Sequence, residues 1–177
     1  MQKSPWQNFG VTLFFIAAIG LSGCGDKLFP YEDSVYGIKI KYPKGWTIRE
    51  QAKGTVVAFV SPKDKEIDAF QENVNILVQD LKNQPNDLQQ YSMTAVRQLT
   101  RTFKNITVLD SKEVTWAGRP AYRFEYMVKA EFDLRLLHLW TIENGKAYML
   151  TYSADADHYK DYIKVVERMI RSFEISQ

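Results

Sequence analysis

The chain has 177 residues, 45% of them apolar, 14% aromatic and 25% charged, which suits one folded domain with a ring-rich core and excludes extended disorder. Its formal charge of +2 comes from 23 basic and 21 acidic residues with no long run of one sign, and this excludes nucleic acid as a partner, because phosphates need a concentrated basic surface. A single cysteine excludes an internal disulfide and any C-x-x-C metal or redox pair.

In chain order, the first element is a leader. A polar start with Lys3 precedes the apolar stretch 9–21 (FGVTLFFIAAIGL), which is too short to cross ~30 Å of hydrocarbon as a helix and has the length of a signal-peptide core. Leu21-Ser22-Gly23-Cys24 follows at once and resembles the bacterial lipobox, in which two small residues fit the signal peptidase and the cysteine sulfur receives diacylglycerol. The expectation is a signal peptide over 1–23 and lipidation of Cys24. Fatty-acyl chains such as palmitate would then anchor the chain in membrane lipid on the extracytoplasmic face of a cell membrane: the periplasm, the cell surface or the thylakoid lumen of a cyanobacterium. More than one acyl chain satisfies the requirement for a stable anchor. Residues 24–34 read as a tether of roughly 35 Å at full stretch, and residues 35–177 as the folded domain. That reach suits a partner in or on the same bilayer.

Within the domain, residues 35–42 alternate Ile38 and Ile40 with Lys39 and Lys41, the period-two pattern of a strand with one wet face. Pro43-Lys44-Gly45 turns the chain. Short strands follow at 46–49 and 55–61 around Lys53-Gly54, and a longer one at 72–81. Residues 87–103 form the clearest helix: Asp87 can cap it, Gln90 lies three residues on, and Leu88, Tyr91, Ala95, Leu99 and Phe103 recur at helical spacing. Strands at 106–117 and 119–128 meet near Gly118, and strands at 134–143 and 146–153 meet at Asn144-Gly145, a strong hairpin signal. In the last pair apolar side chains fall on both parities, so both faces are expected to be covered. A final helix over 156–172 presents Tyr159, Tyr162, Ile163, Val166, Met169 and Ile170. The fold class is therefore α+β, an α/β/α sandwich with a central antiparallel sheet flanked by helices.

Residues that organise chemistry are scarce. No Gly-rich phosphate loop, G-x-S-x-G elbow or H-E-x-x-H is present, and with two histidines and the thiol assigned to lipid no catalytic residue is expected. His138 shares strand parity with Leu136 and Trp140 and reads as a hydrogen-bonded structural histidine. Asp155, Asp157, His158 and Asp161 crowd the start of the last helix, where carboxylates complement free N–H groups. The alternative for Asp155, Asp157 and His158 is a divalent-metal site for Ca²⁺ or another ion, since Asp155 and His158 at i, i+3 would share a helical face. No other cofactor is expected. A second acidic group, Asp64, Glu66, Asp68 and Glu72, lacks calcium-loop spacing and reads as solvated loop. Arg97, Arg101 and Lys104 read as a solvated helix stripe. Trp46, Phe59, Tyr122, Phe124, Tyr126, Trp140 and Tyr152 read as core aromatics.

The landmarks also follow a known order. Tyr36-Gly37-Ile38-Lys39-Ile40-Lys41-Tyr42-Pro43-Lys44-Gly45-Trp46 resembles the opening of the PsbP family. Glu72-Asn73-Val74-Asn75, Gly118-Arg119-Pro120-Ala121-Tyr122, Trp140-Thr141, Gly145-Lys146-Ala147-Tyr148 and Ser172-Phe173 fall in matching order over residues 36–175. Each is a turn or core signature, and their succession carries the likeness. The resemblance is to PsbP-like bacterial lipoproteins, relatives of the photosystem II extrinsic protein PsbP, CyanoP and DcrB. It implies the same α/β/α sandwich and a membrane-tethered, non-catalytic binding or assembly module for a membrane protein complex. Its alternatives are a photosystem II accessory lipoprotein associated with the oxygen-evolving complex, if the source is an oxygenic phototroph, and a small-ligand or metal-sensing lipoprotein. The chain departs from the plant pattern in lacking a long extension before Tyr36, the part associated with ion retention.

Overall fold

A computed structural model of the protein describes residues 27–50, 55–63, 70–82, 86–103, 105–129 and 133–176. The leader, Cys24, Lys53-Gly54, Asp64, Glu66, Asp68 and Lys104 lie outside the described residues.

Apolar alternation builds two sheets. The smaller has three strands in the order β1(Leu28–Asp33), β2(Ile38–Pro43) and β10(Glu174–Ile175), with β2 between the other two and all pairs antiparallel. Strand β1 corrects the sequence reading, which placed residues 24–34 in the tether. Leu28 and Tyr31 pack against the core, and Pro30 is tolerated because β1 is an edge strand that can lack one ladder donor. Residues 34–37 form the β1–β2 turn rather than the start of a strand, with the Asp33 carboxylate accepting the backbone N–H groups of Val35 and Tyr36 at 2.9 Å each.

The larger sheet has seven antiparallel strands in the order β3-β4-β5-β9-β8-β7-β6. These are β3(Thr47–Glu50), β4(Val57–Val60), β5(Asn73–Asp80), β6(Ile106–Trp116), β7(Arg119–Val128), β8(Leu134–Glu143) and β9(Lys146–Asp155). The β8–β9 hairpin closes on Asn144 and Gly145, both at positive φ (50° and 73°), a geometry Asn and Gly adopt at little steric cost.

Each helix covers one face of this sheet. Helix α1(Leu88–Thr102) is capped by Asp87, whose carboxylate accepts the Gln90 N–H at 2.9 Å, and it lays Leu88, Tyr91, Ala95, Leu99 and Phe103 on Phe124, Tyr126, Trp140 and Ala147. Helix α2(Tyr159–Arg171) and the small sheet cover the other face, where Leu137, Leu139, Leu150 and Tyr152 meet Val166, Met169, Ile38 and Ile40. The two parities of β8 and β9 thus serve two cores. Helix α2 begins at Tyr159, not at residue 156, because residues 156–158 form a turn closed by the His158 N–H on the Asp155 carbonyl (3.1 Å). Among the described residues no helix is long and apolar enough to cross a membrane.

Candidate functional site

Helix α1 is narrower than the sheet beneath it, and between the helix and the β6–β7 edge a cleft of about 500 Å³ stays open. Its helix wall carries Leu88, Ser92, Met93, Val96 and Arg97, and its sheet wall carries Glu113 and Tyr122. Met93 is 57% exposed, a large apolar side chain left open to solvent beside the apolar stripe of the helix. The walls are rigid. Tyr122 stacks on Trp140 with ring centroids 5.3 Å apart and donates or accepts a 2.8 Å hydrogen bond with Ser111, while the Trp140 Nε1–H donates to Ser92 Oγ at 2.8 Å. Arg97 and Glu113 place one cation and one anion at the rim. The Ser92 hydroxyl accepts from the indole, and no histidine is among the described residues that line the cleft. What it can do is receive an apolar side chain flanked by polar groups. Further along the same edge, Val108 and Leu109 of β6 are also exposed, at the bulge between Val108 and Asp110.

A second cleft, at the β1–β2 turn, is lined by Asp33, Val35, Tyr36, Lys39, Asn144 and Lys146 among others. Its carboxylate from Asp33 is already engaged by the turn backbone.

His138 lies between the two halves of the α1 face. It is 8% exposed; Nε2 meets the Tyr126 hydroxyl at 3.0 Å and Nδ1 meets Thr151 Oγ1 at 2.9 Å. Burial pulls its pKa down to about 4, which keeps the ring neutral. Both nitrogens are satisfied by strand neighbours.

Asp155, Asp157 and His158 are brought into one turn but not into a ligand set. Asp155 ends β9 and its carboxylate accepts the Asp157 N–H at 2.9 Å; His158 occupies the cap position of α2 without a side-chain cap bond. The helical i, i+3 relation between Asp155 and His158 does not arise, because the helix starts one residue after His158. Among the described residues no three His, Cys, Asp or Glu side chains converge to hold a metal ion. Glu72 of the second acidic group is buried beside the Ser61 hydroxyl at 3.2 Å, not solvated. Arg97 and Arg101 are exposed on α1. The aromatics Trp46, Phe59, Phe124, Tyr126, Trp140 and Tyr152 are buried, and Tyr122 is the exception that reaches the cleft.

Sequence reading missed a charge network under α2. Glu125, 6% exposed, accepts from Arg123 Nη2 at 3.3 Å and from Arg135 Nε at 2.8 Å; Arg123 Nη1 reaches Glu167 of α2 at 3.0 Å, and the Arg135 guanidinium lies 4.0 Å over the Tyr159 ring. Burial works against the Arg123 charge, but Glu167 and Glu125 more than offset it and raise its pKa. The network clamps the start and middle of α2 to β7 and β8. A signal was present: Arg123 and Glu125 share one parity inside an otherwise apolar strand, and Arg135 stands near Glu125 on the next.

Comparison with known proteins places this architecture. The family model of PsbP matches residues 26–175. No curated protein matches the chain at a significant level. Among solved structures, the cyanobacterial PsbP protein CyanoP from Synechocystis sp. PCC 6803 superposes with a TM-score of 0.63 at 17% identity, covering 90% of this chain and 98% of that one. LpqN of Mycobacterium tuberculosis, described as involved in cell envelope biogenesis, gives 0.62 at 11% identity over 85% of this chain and 91% of its own. The Ran-binding protein Mog1p of Saccharomyces cerevisiae gives 0.61 at 13% identity over 85% and 96%. At these identities the likeness establishes the shared fold.

Proposed function

The chain belongs to the PsbP family, and from that premise we propose that it is a non-catalytic accessory module, anchored in a membrane through acylated Cys24, that docks onto a membrane protein complex. The observation that carries the docking reading is the cleft beside α1, with exposed Met93 opposite Tyr122 on a rigid aromatic floor. Apolar groups held open by a stiff frame bind at little conformational cost, and a central anchor in a pocket dominates the energy of a protein interface. The lipobox-like Leu21-Ser22-Gly23-Cys24 supports the anchor. A photosystem II role belongs to the family resemblance, and no side-chain geometry in this chain selects it.

The test uses a strain deleted for the protein and complemented with the full chain. Met93→Glu sets a carboxylate at an exposed position and is expected to abolish complementation with the circular dichroism unchanged, while His158→Gln complements fully. Full function in Met93→Glu together with loss in His158→Gln would overturn the docking reading in favour of a metal or catalytic role at the β9–α2 turn.

A further inference from the structure

The chain enters the fold at the open end of the β1–β2 hairpin, and that corner is basic. Leu28 pairs with Pro43, the Lys44 N–H donates to the Lys27 carbonyl at 3.1 Å, and Lys41 faces Pro30 two pairs further along. Lys27, Lys41 and Lys44 are all exposed. None forms an ion pair with a described residue, whereas Lys39, nearer the turn on the same strand, is met by Glu32 at 3.2 Å, Lys82 by Asp80 at 3.5 Å and Lys112 by Asp110 at 2.8 Å. The Lys27 ammonium lies 5.6 Å over the Phe29 ring, which holds it at the corner.

Only Gly25, Asp26 and Lys27 separate Cys24 from Leu28. At no more than ~3.6 Å per residue, an acylated Cys24 keeps this corner within about 14 Å of the bilayer. Charges held that close feel the field of anionic headgroups, which decays over a Debye length of about 8 Å in physiological salt. At the opposite end of the hairpin, the Ser176 N–H donates to the Gly37 carbonyl at 2.7 Å, so the turn and the end of the last strand are carried away from the anchor together.

We propose that the corner formed by Lys27, Lys41 and Lys44 docks on an anionic phospholipid surface and fixes the orientation of the tethered domain, with the open end of the hairpin on the headgroups and its turn pointing away. The distance argument rests on the acylation of Cys24 proposed above; the charge pattern does not. Asp26 offsets one of the three charges, and at about fivefold in binding per net charge the preference for an anionic over a neutral surface is about thirtyfold.

The experiment uses the full chain isolated from membranes of an expressing bacterium, with mass spectrometry of its N-terminal peptide reporting acylation of Cys24. The protein is placed in phosphatidylcholine vesicles with or without phosphatidylglycerol. A fluorophore is attached at Thr47→Cys, three residues past Lys44, or at Val35→Cys in the distant turn, where the native side chain is 80% exposed. Headgroup nitroxides are expected to quench the Thr47 label severalfold more than the Val35 label in phosphatidylglycerol vesicles. The difference should vanish in the triple variant Lys27→Gln, Lys41→Gln, Lys44→Gln, which alters exposed side chains alone. Equal quenching at both positions in acylated protein, or a difference that survives the triple variant, overturns the proposal. If Cys24 proves unacylated, vesicle flotation separates the two ideas. A phosphatidylglycerol preference of about thirtyfold that the triple variant loses keeps the surface and removes the anchor, and no preference removes both.

Discussion

His138 sits between β7 and β9 with a hydroxyl on each ring nitrogen, Tyr126 at 3.0 Å and Thr151 at 2.9 Å, and burial makes charging it there costly. Burial lowers its pKa from the ordinary 6.5 to about 4. The unfolded chain therefore binds the proton first as pH falls. Stability contributed by the neutral ring is complete above pH 6.5, declines as pH drops through the window from 6.5 to about 4, and is gone below it. The span corresponds to on the order of 3 kcal/mol. Thermal melts across this window should show a falling Tm in the wild type and a shallower fall in His138→Gln, whose amide can still bond both hydroxyls. Equal slopes would mean that the ring is hydrated in the native state. Strand parity alone was enough to place this residue correctly, because a histidine between Leu136 and Trp140 in a period-two segment has no other side to face. Parity gave no such help at Asp155, Asp157 and His158, whose mutual geometry depends on where the strand ends and the helix starts.

At the scale of elements, α1 is fastened to the sheet through polar contacts set in a largely apolar interface: the Trp140 Nε1–H donates to Ser92 Oγ at 2.8 Å, and the Tyr91 hydroxyl donates to Gln79 Oε1 of β5 at 3.1 Å. Ser92→Ala strips the acceptor and leaves a buried indole N–H unpaired, a loss of about 1–3 kcal/mol. Urea denaturation should show a lower midpoint with an unchanged m-value, and Ser92→Thr, which keeps the oxygen, should recover most of it. A midpoint unmoved in Ser92→Ala would show that water replaces the hydroxyl and that the cleft floor is looser than its stacked rings suggest. The helices and hairpins were legible because each carries a local signature: Asp87 before a helical stripe, Asn144-Gly145 between two apolar runs, two apolar parities where two cores meet. Strand β1 was not, because Leu-Phe-Pro-Tyr-Glu-Asp has no alternation, contains a proline and owes its conformation to pairing with residues 38–43. The two-residue β10 is likewise made by its partner rather than by its own sequence. The charge network under α2 escaped for a different reason: isolated charges in a strand normally mean a wet face, and here they mean Arg123, Glu125 and Arg135 neutralising one another beneath a helix.

For the whole molecule, the position of β1 shortens the connection between the anchor proposed at Cys24 and the fold, and with it the volume the domain would search. With residues 24–34 as tether the reach would be roughly 35 Å; with the fold beginning at Leu28 it is about 14 Å. In the proposed arrangement, docking onto a partner in the same bilayer is an encounter at high effective concentration, which falls roughly as the −3/2 power of linker length once the linker exceeds the span. Inserting about ten Gly and Ser residues between Asp26 and Lys27 lengthens the segment between Cys24 and Leu28 some threefold to fourfold and should lower the local concentration at the proposed partner by roughly sixfold. The insertion precedes the first strand, β1, so its circular dichroism and Tm should match the wild type. A photocrosslinker at Met93 in membranes from the complemented deletion strain reads the occupancy of the cleft directly. The adduct yield should fall with the insertion at low expression and recover on overexpression, the signature of a concentration effect rather than of a damaged site. Cys24→Ser should go further, because no other side chain in the sequence offers a thiol for diacylglycerol, leaving the protein released or uncut and the adduct absent. A yield indifferent to both changes would mean that the partner finds this domain without help from the membrane, and the accessory role would have to be sought on a soluble protein.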